Sequence, residues 1–304
     1  PLTNVRCKTC ALTKSGLHAP FSTRHPTSTG AGTDSMPAIV PRRIGSRPYS
    51  ASAISAGHSP KPISGAATAS TATGGTVTLN GGFLKFADAA QLGGSSASVH
   101  ANLVFNGGAI EFTGGGFGRN FLVKDGGAGF HATSSANPFV VSSSDQIDFD
   151  NAAPAAGRPL TLSGTSTQGN TFSAGLLDNA DAARAFSSVV KNGVGQWIIG
   201  GSGNAILAPD ADVSVNGGVL GFYLNALGST ASNGDINLAN STTLRWEATN
   251  NQDLGARLKV ADGATATIQV ENNTTFNGGL DFAAGANTGT GALVKTGAGN
   301  LTLA

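Results

Sequence analysis

Charge is scarce in this chain. Only 12% of its residues are Asp, Glu, Lys or Arg, 6% are aromatic, and cysteine occurs twice. Both cysteines, Cys7 and Cys10, fall within residues 1–65, so residues 66–304 hold none. A fold built there cannot rest on disulfides. Scarce charge does not mean disorder. Apolar residues reach 39% and the net charge is +1, whereas disordered chains combine low hydrophobicity with high charge. Residues 1–65 contain no apolar core of roughly 7–15 residues, so they are not a secretory signal as written. G-x-S-x-G elbows, phosphate loops and H-E-x-x-H are also missing, and no cofactor or metal site is expected.

Glycine is abundant instead, at 44 of 304 residues, about twice its usual share. Ala, Ser, Thr and Asn fill much of the remainder. This composition suits many short strands joined by tight turns. The charge is uneven. Residues 1–65 carry eight bases and one acid, a net of +7, and the rest carry ten bases and sixteen acids, a net of −6. Eight of the twelve prolines also lie before residue 66. No hydrophobic period persists there, so residues 1–65 read as a disordered basic tail and the fold as starting at residue 66. Cys7 and Cys10 form a lone C-x-x-C with only His18 and His25 near, which is too few ligands at suitable spacing for zinc. A redox motif would need a βαβ setting. The basic residues lack aromatic interleaving and read as a solvated tail, with no nucleic-acid partner.

From residue 66 the strand signal persists. Thr76-Val77-Thr78-Leu79, Phe83-Leu84-Lys85-Phe86, Ala109-Ile110-Glu111-Phe112, Thr243-Leu244-Arg245-Trp246 and Thr267-Ile268-Gln269-Val270 are short strands between Gly/Asn turns, and Leu280-Asp281-Phe282 continues the series. A turn of helix is expected near Asp178 to Phe186. Two lines recur. VTLNGGFLKF at residues 77–86 returns as VSVNGGVLGF at 213–222, and VVKNGVGQWIIG at 189–200 returns as LVKTGAGNLTLA at 293–304. An Asn-Gly pair can close an antiparallel hairpin, but recurrence on a long period with the same flanking order favours a stacked solenoid. One coil cannot bury its own apolar residues, so stability comes from stacking on its neighbours. At about 20–25 residues per coil, residues 66–304 make roughly ten to twelve coils.

The pattern V-K-x-G-x-G-x-Φ-x-Φ, with Φ apolar, followed by Val215-Asn216-Gly217-Gly218-Val219-Leu220 and Asn225-Ala226-Leu227-Gly228, resembles the autotransporter-associated β-strand repeat, also called the passenger-associated transport repeat. The match covers residues 189–228. Residues 76–94 match the second half of the repeat and residues 293–304 the first half. The copy at 189–200 departs from the family in using Gln196-Trp197 where Asn or Thr followed by Leu is usual. The resemblance implies an all-β, right-handed parallel β-helix, a passenger segment at the surface of a bacterium. It also implies an outer-membrane β-barrel translocator as partner in a complete protein. The repeat family is thought to assist export and folding. No barrel strands follow Gly285, Ala304 falls inside a repeat, and the chain starts at Pro1, so a fragment is expected.

Three functional readings follow. The first is a non-enzymatic stalk for display at the outer membrane. The second is a direct adhesin for surface glycans or host and matrix proteins. The third is a polysaccharide lyase or hydrolase using Asp145, Asp148 and Asp150 of S-D-Q-I-D-F-D. Asp148 and Asp150 share one strand face, opposite Ile147 and Phe149. They could serve as acid and base or bind Ca²⁺, but alternation alone makes them a solvent face, with no His, Lys or Arg within six residues. No catalytic residue is therefore assigned. His131 reads as a solvent-facing strand residue, residues 114–118 as a loop between coils, and Trp197 and Trp246 as core.

Overall fold

The computed structural model describes residues 75–92, 102–150, 157–176, 185–200, 206–228, 234–277, 280 and 290–304. The 1–65 segment, with Cys7, Cys10, His18 and His25, lies outside them, as do Asp281 and Phe282.

Each Gly/Asn turn ends a strand before it can fold back on itself, so the strands pair with those one turn away. All pairings among the described residues are parallel. Among the described residues the protein is an all-β parallel β-solenoid with almost no helix. A five-stranded sheet runs through Val77–Leu79, Leu103–Phe105, Phe121–Val123, Gln146–Phe149 and Gly175–Leu176. An eight-stranded sheet runs from Phe83–Phe86 through Ala109–Phe112, Ala128–Ala132, Pro159–Gly164, Phe186–Lys191, Leu207–Val215 and Ile236–Leu238 to Leu258–Val260. A seven-stranded sheet runs from Val140–Val141 through Asn170–Phe172, Gln196–Ile199, Val219–Phe222, Thr243–Trp246 and Thr265–Val270 to Ala292–Thr296. Thr274–Phe276 pairs with Leu301–Leu303.

Turn length corrects the sequence expectation. Strand partners lie 18 residues apart at Val104 and Leu122, 26 at Val77 and Leu103, and 32 at Ala128 and Leu160. The eight strands of the longest sheet therefore span about seven turns instead of ten to twelve. Phe186, placed at the end of a possible helical turn, begins a strand, and residues 177–184 lie outside the described residues.

The core consists of inward columns. Trp197, Leu220, Leu244 and Ile268 stack in register in the seven-stranded sheet, and Ile110, Phe130 and Leu162 do so in the eight-stranded one. All seven are buried. Burying each such side chain contributes roughly 1.5–3 kcal/mol, and most of that burial requires the turn above or below.

The repeated lines are corners. VTLNGGFLKF joins the five- and eight-stranded sheets, while VSVNGGVLGF joins the eight- and seven-stranded ones. The two V-K-x-G-x-G copies likewise sit at different corners, eight-to-seven for the first and seven-to-two-stranded for the second. The module thus specifies a bend and not a face. Gly193 and Gly297 occupy the same place in it, with φ 75° and 81°. A Cβ at Gly193 would lie 2.5 Å from the Gly164 carbonyl oxygen one turn away, and one at Gly195 would lie 2.6 Å from that of Ser166. Equivalent Cβ atoms at Gly297 and Gly299 would strike Val270 and Asn272. Stacked corners bring backbone against backbone, and glycine is the residue that leaves room. Asparagines tie the corners together. Asn106 Nδ2 donates to Asn80 Oδ1, and Asn216 Nδ2 donates to Asn192 Oδ1, both at 3.0 Å.

The lysine of the first copy is buried. Lys191 pairs with Leu162 on one side and Val215 on the other, so it stands in the same inward column as Ile110 and Phe130. It is 0% exposed. Its Nζ donates to the carbonyls of Asn192 at 3.1 Å, Gly193 at 2.9 Å and, from the next turn, Gly217 at 2.9 Å. An ammonium has three protons, and each finds a carbonyl. Lys295, its counterpart, bonds the Gly297 carbonyl at 2.8 Å and is exposed, since Ala292–Thr296 has a strand partner on one side alone among the described residues.

Two outcomes follow from the corner. Gly263 has φ 69° but open space around it, so Gly263→Ala is expected to cost about 1 kcal/mol from left-handed strain alone. Gly193→Ala adds a backbone clash and should cost at least about twice that. Equal losses in urea denaturation would contradict the close approach. Burial lowers the Lys191 amine from 10.5 to about 8. Between those values the unfolded chain holds the extra proton, so stability should rise with pH from 8 to 10.5. Below pH 8 both states are charged, and the burial penalty is present in full. Lys191→Met should remove this slope in thermal melts, and a slope unchanged by the substitution would show the amine is not desolvated.

Candidate functional surface

The acid strand comes apart into two kinds of position. In Gln146–Phe149, Ile147 and Phe149 point inward and Asp148 outward, as alternation predicts. Asp150 also lies on the outer side, and its Oδ2 is 3.3 Å from Lys124 Nζ of the preceding turn. Asp145 is buried. Its carboxylate accepts the Ser142 N–H at 2.7 Å and the Ser142 hydroxyl at 3.2 Å. Burial raises its pKa, against hydrogen bonds from Ser142 and from the backbones of Gly118 and Arg119. Asp145 therefore fastens a turn, while Asp148 and Asp150 line a solvated face. The structure does not bring the three together as an acid–base pair with a third group. Among the described residues, no group of three His, Cys, Asp or Glu side chains could hold a metal ion. Trp197 and Trp246 are core residues, and each indole N–H is satisfied, by the Ser163 carbonyl at 2.8 Å and the Gln252 carbonyl at 2.9 Å.

The richer polar cluster lies on the outer face of the eight-stranded sheet, around His131. Lys85, Glu111, His131 and Ser163 are in register on four successive strands. Lys85 Nζ lies 2.7 Å from Glu111 Oε1, which also accepts the Thr133 hydroxyl at 2.5 Å. Burial opposes the Glu111 charge, but hydrogen bonds from Lys85 and Thr133 outweigh it and lower its pKa. His131 Nδ1 is 2.8 Å from Ser163 Oγ, and its ring packs on Phe83 with centroids 4.8 Å apart. Burial lowers the imidazole pKa, with Lys85 adding to the effect and Glu111 opposing it. The neutral form of the imidazole is thereby favoured over the charged one. His131 faces outward, as the sequence suggests, but it is half-buried instead of freely solvated. Sequence reasoning missed the cluster because its members are scattered over residues 83–163. The parity of each strand, with Phe130 and Ala132 inside, was the available signal.

A second outward cluster explains a departure from the repeat pattern. Arg245 donates from Nε to Glu247 at 2.7 Å and from Nη1 to Gln196 at 3.1 Å. A Cβ at Gly221 would strike Glu247, so the arginine crosses to Gln196 over a residue without a side chain.

The chain is similar to "Adhesin BmaC autotransporter" of Brucella suis biovar 1 (strain 1330), with 29% identity over 191 residues, 58% of this chain and 5% of that protein. The chain therefore spans about 5% of the length of the curated relative it matches. No family model matches, so the autotransporter-associated repeat stays a resemblance carried by the residues quoted above. No solved structure matches either. Among the described residues, no helix is long and apolar enough to cross a membrane.

Asp145→Ala is expected to cost about 1–3 kcal/mol, since it strands turn N–H groups, whereas Asp148→Ala should stay within about 0.5 kcal/mol. A larger loss from Asp148→Ala than from Asp145→Ala in urea denaturation would reverse these assignments.

Proposed function

We propose that this chain is a stretch of the passenger of an autotransporter-like surface protein. Its role is structural and adhesive and not enzymatic. The observation that carries the reading is the parallel stacking of turns over one apolar core among the described residues. In such a stack outward residues vary without disturbing the inward columns, so binding groups can be presented along its length. The adhesin name of the similar Brucella suis protein supports the same reading. A complete protein of this kind works with an outer-membrane β-barrel translocator and contacts glycans or host and matrix proteins outside the cell. The basic segment 1–65 precedes the solenoid, which we place from residue 66.

The test is export. The chain is fused behind a secretion signal and ahead of a β-barrel translocator, and intact cells are treated with protease. A cell-surface chain whose solenoid survives as a resistant core is expected. Retention of the chain inside the cell, while the barrel alone inserts normally, would overturn the proposal.

A further inference from the structure

We propose that the outer face of the eight-stranded sheet around Phe83 and His131 binds a neutral oligosaccharide. This inference rests on the adhesive reading above. Phe83 is a large hydrophobic side chain left 38% exposed. Ala109 and Gly129 fill the next two positions of its own column, so no bulky side chain stands between its ring and the imidazole two strands away. Phe83 and His131 therefore pack together as one aromatic patch, with ring centroids 4.8 Å apart and ring planes inclined at 57°. An aromatic face carries negative charge density and attracts the polarised C–H groups on one face of a pyranose.

Hydroxyl partners stand beside the patch. Glu111 is a strong acceptor, Ser163 offers a hydroxyl and Lys85 an ammonium, on strands about 4.8 Å apart, and Thr133 adds a hydroxyl just beyond the end of Ala128–Ala132. A chain of sugars crossing the strands meets one polar group at each step. The charges select against other ligands. Lys85 and Glu111 neutralise each other at 2.7 Å, and burial disfavours the charged form of His131. A phosphate backbone or sulfated polymer finds no excess of positive charge there, and an acidic peptide finds none either. A few polar groups around an aromatic surface is the usual make-up of a small-ligand site.

The full chain is labelled and applied to an array of cello-, chito-, manno- and lacto-series oligosaccharides, with sialylated and sulfated members alongside. Titration calorimetry follows with the strongest neutral binder. Phe83→Ala is expected to weaken binding at least tenfold, and Glu111→Gln to weaken it measurably. Tyr223→Ala, at an exposed aromatic far along the solenoid, should leave binding unchanged. Phe83→Leu keeps the bulk and loses the aromatic face, so it should bind as poorly as Phe83→Ala even if truncation disturbs the fold. Retention of no neutral oligosaccharide, binding by either Phe83 variant as tight as by the unaltered chain, or binding confined to sulfated glycans and lost in salt would each overturn the proposal. Cell-surface export does not depend on Phe83, so such a failure would leave the passenger reading standing.

Discussion

Corners must stack as closely as strands, and that constraint governs the solenoid. Parallel strands lie about 4.8 Å apart, which leaves a turn no more room than a strand has. Gly193 and Gly195 abut the backbone of Gly164 and Ser166 directly. Asparagine amides then tie one corner to the next, and the Lys191 ammonium gathers carbonyls from two successive turns. The sequence pattern K-x-G-x-G describes these requirements: a cation for crowded carbonyls, a left-handed residue, and a residue without a Cβ where two turns touch.

The same constraint sorts the polar side chains. Many of those inside act on backbone. Asn170 donates to the carbonyls of Ser166 and Gln196 and accepts the Phe139 N–H, and Arg257 donates to Gly234 and Leu227. Unpaired backbone polar groups are costly in an apolar interior, so the irregular loops need such internal donors and acceptors. Polar groups outside are freer. They form columns such as Lys85 to Ser163, whose members are set by register and not by sequence proximity.

Much of the fold was legible in the sequence. The alternation in Phe83-Leu84-Lys85-Phe86 and Ala109-Ile110-Glu111-Phe112 marks real strands, and the N-G-G lines mark real bends. The number of turns was not legible, because loops of differing length stretch the strand spacing from 18 to 32 residues. Nor was the sheet to which a repeat belongs, since one corner module serves several corners. Hydrophobicity hid Lys191, although strand parity held the clue: Val189 is inward, and two residues on lies the lysine. Asp145 is a similar case. It shares its parity with Ile147 and Phe149, and the side that buries them buries it. Strand parity put His131 outside, but its neighbours were not legible, since Phe83, Glu111 and Ser163 meet it only through register.

The third acceptor of Lys191 has a consequence for the order of assembly. Two of its carbonyls, from Asn192 and Gly193, belong to its own corner, and the third, from Gly217, belongs to the turn that follows in the chain. A stack growing by addition at its N-terminal end offers an incoming lysine all three at once. A stack growing the other way holds that ammonium at an open edge, one carbonyl short, until the next turn arrives. The side chain thereby gives an otherwise repetitive molecule a direction.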